Sequence, residues 1–433
     1  MLQLRPFAAL RYAAVDSLGA VIAPPYDVIS PAQQDELYAR DPHNVIRLEL
    51  SRGGTDEPLA GRYAHAAEAL RTWRRRNVLG RDPFPVYYPY EERFPTPRGD
   101  RIRRGVFATV RLHPWSDGVI RPHERTRPKP KADRRELLHT CRTQFSPVFS
   151  LFEDARGAVR ELLEESMRGV PVACAQVRPG AAGEIATSHQ LWQMTGSPAE
   201  RLTELFRDKQ LYIADGHHRY ETALDYRDER RHALNRVDPD APYEFVMMLL
   251  VAADDPGLVV LPTHRMVALP LPLDPPAARS AWARYFEVES APLPNGRRPG
   301  EAVYAELQRR GRDLPVFAAL GVQPGRVDWL TLRHPPARWD APATWRELDV
   351  GLLQRLVVEP LEHGQPGTSV EFTRDPDEAL AHAEADERNA AFLLNATGVD
   401  QILAVARAGD RMPEKSTYFA PKVATGLVMY PLE

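Results

Sequence analysis

The stretch LYIADGHHRYETAL, residues 211–224, sets Asp215, Gly216, His217, His218 and Arg219 side by side at the end of an apolar run. An acid and a glycine there, followed by amphipathic residues, predict a strand that ends at Asp215 and a helix that starts about 218 and runs to 231. The first N–H groups of a helix have no internal partner, so such a turn is a ready anion site. Gly216 lets the backbone approach closely, Arg219 can grip a phosphate or carboxylate through two parallel hydrogen bonds, and His217 or His218 can donate to it or move a proton. Two other readings fit the same residues. Asp215 can cap the helix while Arg219 pairs with Glu221 or Asp225, or the histidines can ligate a metal, although neither HExxH nor a cysteine pair lies nearby.

Further polar blocks surround this turn in the sequence. RPHERTRPKPK, 121–131, concentrates His123, Glu124, Arg125, Arg127, Lys129 and Lys131 in a segment read as a proline-broken basic loop, suited to a polyanion or, alternatively, a solvated surface. MPEKSTYFAPK, 412–422, contains Lys415, Ser416 and Thr417, which can contact phosphate, but no GxxxxGK[ST] precedes them and a Walker loop is excluded. LPTHRMV, 261–267, puts Thr263, His264 and Arg265 at a strand end, where they can join the same phosphate pocket or, alternatively, form a satisfied structural contact. Asp27, displayed after two prolines, and then Glu49 are the acids proposed to accept or orient a hydroxyl proton. Only five of the 56 basic residues are lysines: Lys129, Lys131, Lys209, Lys415 and Lys422. Where arginine replaces lysine so widely, the survivors are read either as positions where a compact ammonium is needed or as chance survivors on a solvated surface.

The elements that must position these residues alternate. The first fifty residues read as short strands and turns, 62–77 as an amphipathic helix, and 84–94 with 103–112 as an antiparallel pair. Strands follow at 145–154, 171–177, 211–215 and 243–253, with helices at 156–168 and 198–207 between them. A Pro-rich LPLPLDPPA, 269–277, marks the start of a second half, giving domains 1–268 and 269–433. That half reads as helix 300–310, strands at LPVFAALGV and VDWLTLRH, helix 376–387, strand AAFLLNAT, helix 399–407 and VATGLVMY as a last strand. The expected fold is α/β (α+β) with mixed sheets.

Composition narrows the partners. A net charge of -3 with no basic stripe gives little electrostatic support for nucleic-acid binding. Two cysteines, Cys141 and Cys174, are too few for a disulfide framework or a thiolate zinc site and fit a reducing compartment, so the cytoplasm is the expected location. The N-terminus is interrupted by Arg5, Arg11 and Asp16, unlike a signal peptide, and the most apolar run is about half the length a membrane span needs. A small-molecule partner is expected.

IAPPYDVIS, NVIRLEL, RPHERTRPKPKADRRELL, FSPVFSLFED, LYIADGHHRYETAL, LPTHRMV and MPEKSTYFAPKVATGLV, taken in order over nearly the whole chain, resemble the bacterial and archaeal domain-of-unknown-function 1015 family. The DGHHR turn also resembles, locally, that of free-serine kinases of ParB/sulfiredoxin-like fold. This second resemblance implies ParB/sulfiredoxin-like core elements and phosphoryl transfer to a small hydroxyl substrate such as free serine. The donor would be a nucleotide or pyrophosphate, with Mg2+ as cofactor. In those kinases the acid lies shortly before the turn, whereas Asp27 is far from Asp215 in this chain. The expected site lies between the two halves, with Asp215, His217, His218 and Arg219 holding the transferred group and Arg125, Lys129, Lys131 and Lys415 neutralising the donor. A non-enzymatic nucleotide-binding switch of ParB type and a metal-dependent hydrolase using His123, His217, His218 or His264 are the rival readings; the metal and the oligomeric state are not specified by the sequence.

Overall fold

The computed structural model describes residues 1–13, 15–52, 61–97, 99–124, 126, 128–180, 185–334 and 339–433, without the side chains of 128–130. The chain divides into two compact units. The first comprises Met1–Pro122, Thr126–Val259 and Pro421–Glu433, and the second His123–Arg125 and Val260–Ala420. LPLPLDPPA therefore lies inside the second unit. The architecture is mixed α/β, with several sheets, as the alternation of patterns predicts.

A nine-stranded sheet organises the first unit. Its strands are β1 (Leu4–Arg5), β2 (Tyr88–Phe94), β3 (Arg101–Arg111), β4 (Ile120–Arg121), β5 (Val148–Phe152), β6 (Ala173–Val177), β7 (Thr187–Leu191), β8 (Leu211–Asp215) and β9 (Phe245–Ala252). They run in the order β4-β8-β5-β9-β3-β2-β7-β6, with β1 paired to β3. β9 is parallel to β5 and antiparallel to β3. Every residue of β9 is buried, which explains why its sequence is continuously apolar instead of alternating. One face carries Val106, Ala108, Val110, Val148, Ile213, Met248 and Leu250 against Leu162, Leu202, Phe206, Tyr220 and Ala223.

Three sequence expectations fail in this unit. The first fifty residues are not mainly strands, because Ser30 Oγ accepts from Gln33 N at 3.2 Å and Pro31 fits the first helical turn, starting the helix Pro31–Arg40. NVIRLEL likewise folds into the short helix Ile46–Glu49. Buried Asn44 anchors it, accepting from Ile46 N at 3.0 Å and donating to Ala20 O and Ile22 O at 2.7 and 3.2 Å. The basic segment is also more helical than expected: α1 (Pro128–Cys141) includes positions 129 and 131. Pro128 and Pro130 are tolerated there because the first-turn N–H groups have no helical acceptor. Near the C-terminus, VATGLVMY is mostly irregular. Gly426 at φ +96° breaks the extended run, leaving single bridges Ala23–Thr425 and Leu10–Met429 and the short strand Tyr430–Pro431.

The second unit is built on a six-stranded antiparallel sheet of β10 (His264–Ala268), β11 (Phe286–Pro292), β12 (Val316–Leu320), β13 (Arg326–Leu332), β14 (Ser369–Thr373) and β15 (Asn389–Leu393). The order is β11-β13-β12-β15-β10-β14. Helices Pro299–Arg310 and Pro376–Ala385 cover one face through Val303, Leu307, Ala379, Leu380 and Ala383. Among the described residues no helix is long and apolar enough to cross a membrane.

Candidate functional site: a clasped acid and a buried glutamate in the first unit

Strand β8 ends at Asp215 and α2 (His217–Leu234) begins two residues later, joined by Gly216 at φ +89°. That backbone conformation favours glycine, and a side chain there would sit 3.0 Å from the Arg219 guanidinium. Arg219 folds back over the turn, donating from Nη2 to Asp215 Oδ2 at 2.7 Å and from Nη1 to the Pro147 carbonyl. Lys422 reaches the other oxygen of the same carboxylate, Nζ to Oδ1, at 2.5 Å. Burial pushes the Asp215 carboxyl up, but the Lys422 ammonium and the Arg219 guanidinium, joined by His217, outweigh it and hold it well below the usual carboxylate range. Asp215 is thus a fixed anion between two cations, not a helix cap: Gly216 occupies the N-cap, without a side-chain capping bond. Glu221 and Asp225 do not take Arg219. They take Lys131, at 3.6 and 2.8 Å.

Beneath the turn, Glu49 and Arg219 line one cavity of about 50 Å³ together with Arg134, Ser146 and Thr222. Glu49 is 3% exposed. Arg134 Nη1 donates to the Glu49 carbonyl at 2.9 Å and stands 3.4 Å from Oε1. Ser146 Oγ donates to Oε1 at 2.7 Å and lies 2.9 Å from Thr425 Oγ1. The Arg134 guanidinium also covers the Tyr26 ring at 4.0 Å. Burial drives the Tyr26 hydroxyl well above its ordinary range, against the pull of Arg134. Thr222 is 2% exposed, and its Oγ1 has no partner among the described residues. A buried hydroxyl without a partner beside a cavity of this size is a place for ordered water or a small polar ligand atom.

The second unit gathers the other polar blocks. Arg265 is fully buried and, among the described residues, donates only to main-chain carbonyls: Thr263, Lys415 at 3.2 Å and Glu414 at 3.2 Å. Burial pulls the guanidinium down to about 10, against Glu124 and Glu414. His264 accepts from Leu394 N at 3.4 Å, and burial beside Arg265 lowers it to about 3, so it is neutral at pH 7. His123 Nε2 and Thr417 Oγ1 are 3.0 Å apart, and Glu124 Oε1 accepts from Lys415 N at 3.3 Å. Ser416 Oγ donates to Pro413 O, while Lys415 itself is exposed at φ +50°.

A family model described as a protein of unknown function (DUF1015) matches residues 4–351. The chain belongs to this family. The DUF1015 match includes Glu49, Arg134 and the DGHHR turn, while Lys415–Thr417 and Lys422 lie beyond it. No curated protein matches the chain. Among solved structures, a conserved hypothetical protein from Pyrococcus furiosus is 12% identical with a TM-score of 0.35, over 75% of this chain and 94% of that one. Free serine kinase in complex with AMP is 13% identical with a TM-score of 0.33, over 77% and 95%. SbnI with a C-terminal truncation, from Staphylococcus aureus, is 10% identical with a TM-score of 0.34, over 75% and 87%.

Of the residues singled out in the sequence of this DUF1015 protein, Asp215, Gly216, His217, His218 and Arg219 share the turn, and Glu49 lines a cavity with Arg219. Asp27, the first-choice acid, is exposed in the short turn Tyr26–Val28 and does not line that cavity. His123, Glu124, Thr263, His264, Arg265, Lys415, Ser416 and Thr417 belong to the second unit. Arg125 lies outside the described residues, as does the side chain of Lys129. Sequence reasoning missed Lys422, Arg134, Ser146 and Thr425 as site residues. Lysine scarcity was the available signal for Lys422. Among the described residues no group of three or more His, Cys, Asp or Glu is gathered as for a metal ion.

Proposed function

We propose that the first unit is a small-molecule phosphotransferase acting on a hydroxyl group, with free serine or a similar metabolite as acceptor and a nucleotide or pyrophosphate as donor. The observation that carries this reading is the pairing of one ionised carboxylate, Asp215, with two cations, Lys422 and Arg219, at the open start of α2. The two cations, together with the first N–H groups of α2, favour a phosphoryl group at that end. Phosphoryl transfer asks little covalent chemistry of the protein, so positioning and charge neutralisation supply most of the rate. Lys422 and Arg219 would neutralise the transferred group, and His217 and His218 would donate to its oxygens.

Glu49 would orient the acceptor hydroxyl and take its proton, in preference to Asp27, because Glu49 and Arg219 face one cavity. Arg134 and Ser146 hold the Glu49 carboxylate in one orientation. Mg2+ would come with the donor, since an ion bound mainly by phosphate oxygens and water needs one or two protein carboxylates and not a dedicated cluster. Phosphorus NMR of the protein with magnesium and serine, run separately with ATP, ADP and pyrophosphate, tests the reading. A new phosphomonoester signal that disappears in Glu49→Gln and Arg219→Ala is expected. Release of inorganic phosphate alone would replace it with a hydrolase, and binding without turnover with a ligand-responsive switch.

A further inference from the structure

The sheet of the first unit buries an ion pair that the proposed chemistry does not use. Glu92 on β2 and Arg103 on β3 are directly opposite in the ladder, hydrogen-bonded to each other and both 0% exposed. Desolvating two such charges costs several kcal/mol per ion, and an apolar pair of similar volume commonly serves stability as well or better. Nor is the pair fully satisfied. Arg103 Nε and Nη1 and Glu92 Oε1 have no hydrogen-bond partner among the described residues. Burial pushes the Glu92 carboxyl up against the pull of Arg103, and burial with Arg103 lowers neighbouring His189 to about 3. The pair is therefore expensive where it stands, and fold stability alone does not account for it.

What Arg103 touches beyond Glu92 is informative. Its Nη2 donates to the Pro421 carbonyl at 2.9 Å, one residue before Lys422. Its guanidinium lies 5.1 Å from the centre of the Phe149 ring, and Phe149 is the cross-strand partner of Asp215. Arg103 thus fastens the backbone just before Lys422 and touches the ring of the residue opposite Asp215 in the ladder. A lysine has a flexible four-carbon stem with many rotamers, so its aim depends on how firmly its backbone is fixed.

We infer that the Glu92–Arg103 pair is a positioning unit for Lys422, retained to hold the Pro421–Lys422 backbone so that the ammonium meets Asp215 and an incoming anion. This rests on the reading of the Asp215 turn as the anion site. The pair touches neither phosphate nor acceptor and acts only through Lys422.

The test replaces the pair with apolar residues, Glu92→Leu with Arg103→Met, in the full chain. Inorganic pyrophosphate binding is measured by calorimetry, and reductive methylation of Lys422 is followed by mass spectrometry, with Lys209 as internal reference. The variant is expected to fold with a melting temperature close to that of the parent, to bind pyrophosphate about tenfold more weakly, and to methylate several-fold faster at Lys422 alone. A folded variant with unchanged affinity and unchanged Lys422 labelling overturns the inference. Should the apolar pair fail to fold, Arg103→Lys decides by the same two measurements, because it keeps a charge beside Glu92 but lacks the guanidinium fork. Lys422→Ala separates the two claims. If it leaves pyrophosphate binding intact, the anion-site reading fails, whereas a loss with Lys422→Ala but none with the pair variants rejects the positioning role alone.

Discussion

The two polar clusters use arginine in opposite ways. In the first unit Arg219 and Lys422 share one carboxylate at the start of α2. In the second unit Arg265 meets carbonyls of its own strand and of residues 414 and 415, with no carboxylate within ion-pair distance among the described residues. Carbonyl dipoles satisfy a guanidinium's hydrogen bonds without neutralising it, and they hold a loop in one conformation. An acid between two cations instead aims the cations, and it can share them with a second anion. Similar residue types, both attractive in sequence as phosphate ligands, divide into a fastening and a candidate binding site once their partners are known.

The largest effect should come from the fastening. Arg265→Ala strips donors from the Thr263, Glu414 and Lys415 carbonyls and is expected to destabilise the second unit by about 3 kcal/mol, read by urea unfolding. A loss near zero would mean that these carbonyls have other donors and would erase the contrast. Acid provides the next test. His264 has its folded value lowered to about 3, so its contribution is intact above its unfolded value, about 6.5, and drains by about 1.4 kcal/mol per pH unit as pH falls toward 3. His264→Gln should flatten that slope in unfolding series between pH 7 and 4. Asp215, held low, keeps its contribution until the pH drops through and below the ordinary carboxylate range. The smallest effect sharpens the lysine comparison. Lys131, partly exposed and already paired with Asp225 and Glu221, should lose less than about threefold in pyrophosphate affinity when changed to Ala.

Much of this was legible because the information is local. The DGHHR turn has strand residues, glycine and helix residues in sequence, and the structure has a bend where the pattern demands one. Glu49 was visible as an acid, but its element was misread, because the short helix depends on Asn44 bonding to Ala20 and Ile22, contacts across more than twenty positions. Lys422 is 207 positions from its carboxylate, and nothing in APKVATG announces a partner. Only the scarcity of lysine distinguished it. The role of Arg265 could not be read either, since burial and main-chain acceptors are properties of packing and not of the THR triplet.

The first unit closes with residues 421–433, after the second has been inserted between Val259 and Pro421. During synthesis the strand bearing Asp215 can leave the ribosome, pair and bury its apolar face well before Lys422 exists. Until then the acid has Arg219 alone of the two cations. On the proposed reading the anion site would therefore be completed only once residues 421–433 have been made, so a polypeptide still lacking them could be folded over much of its first unit and yet be inert.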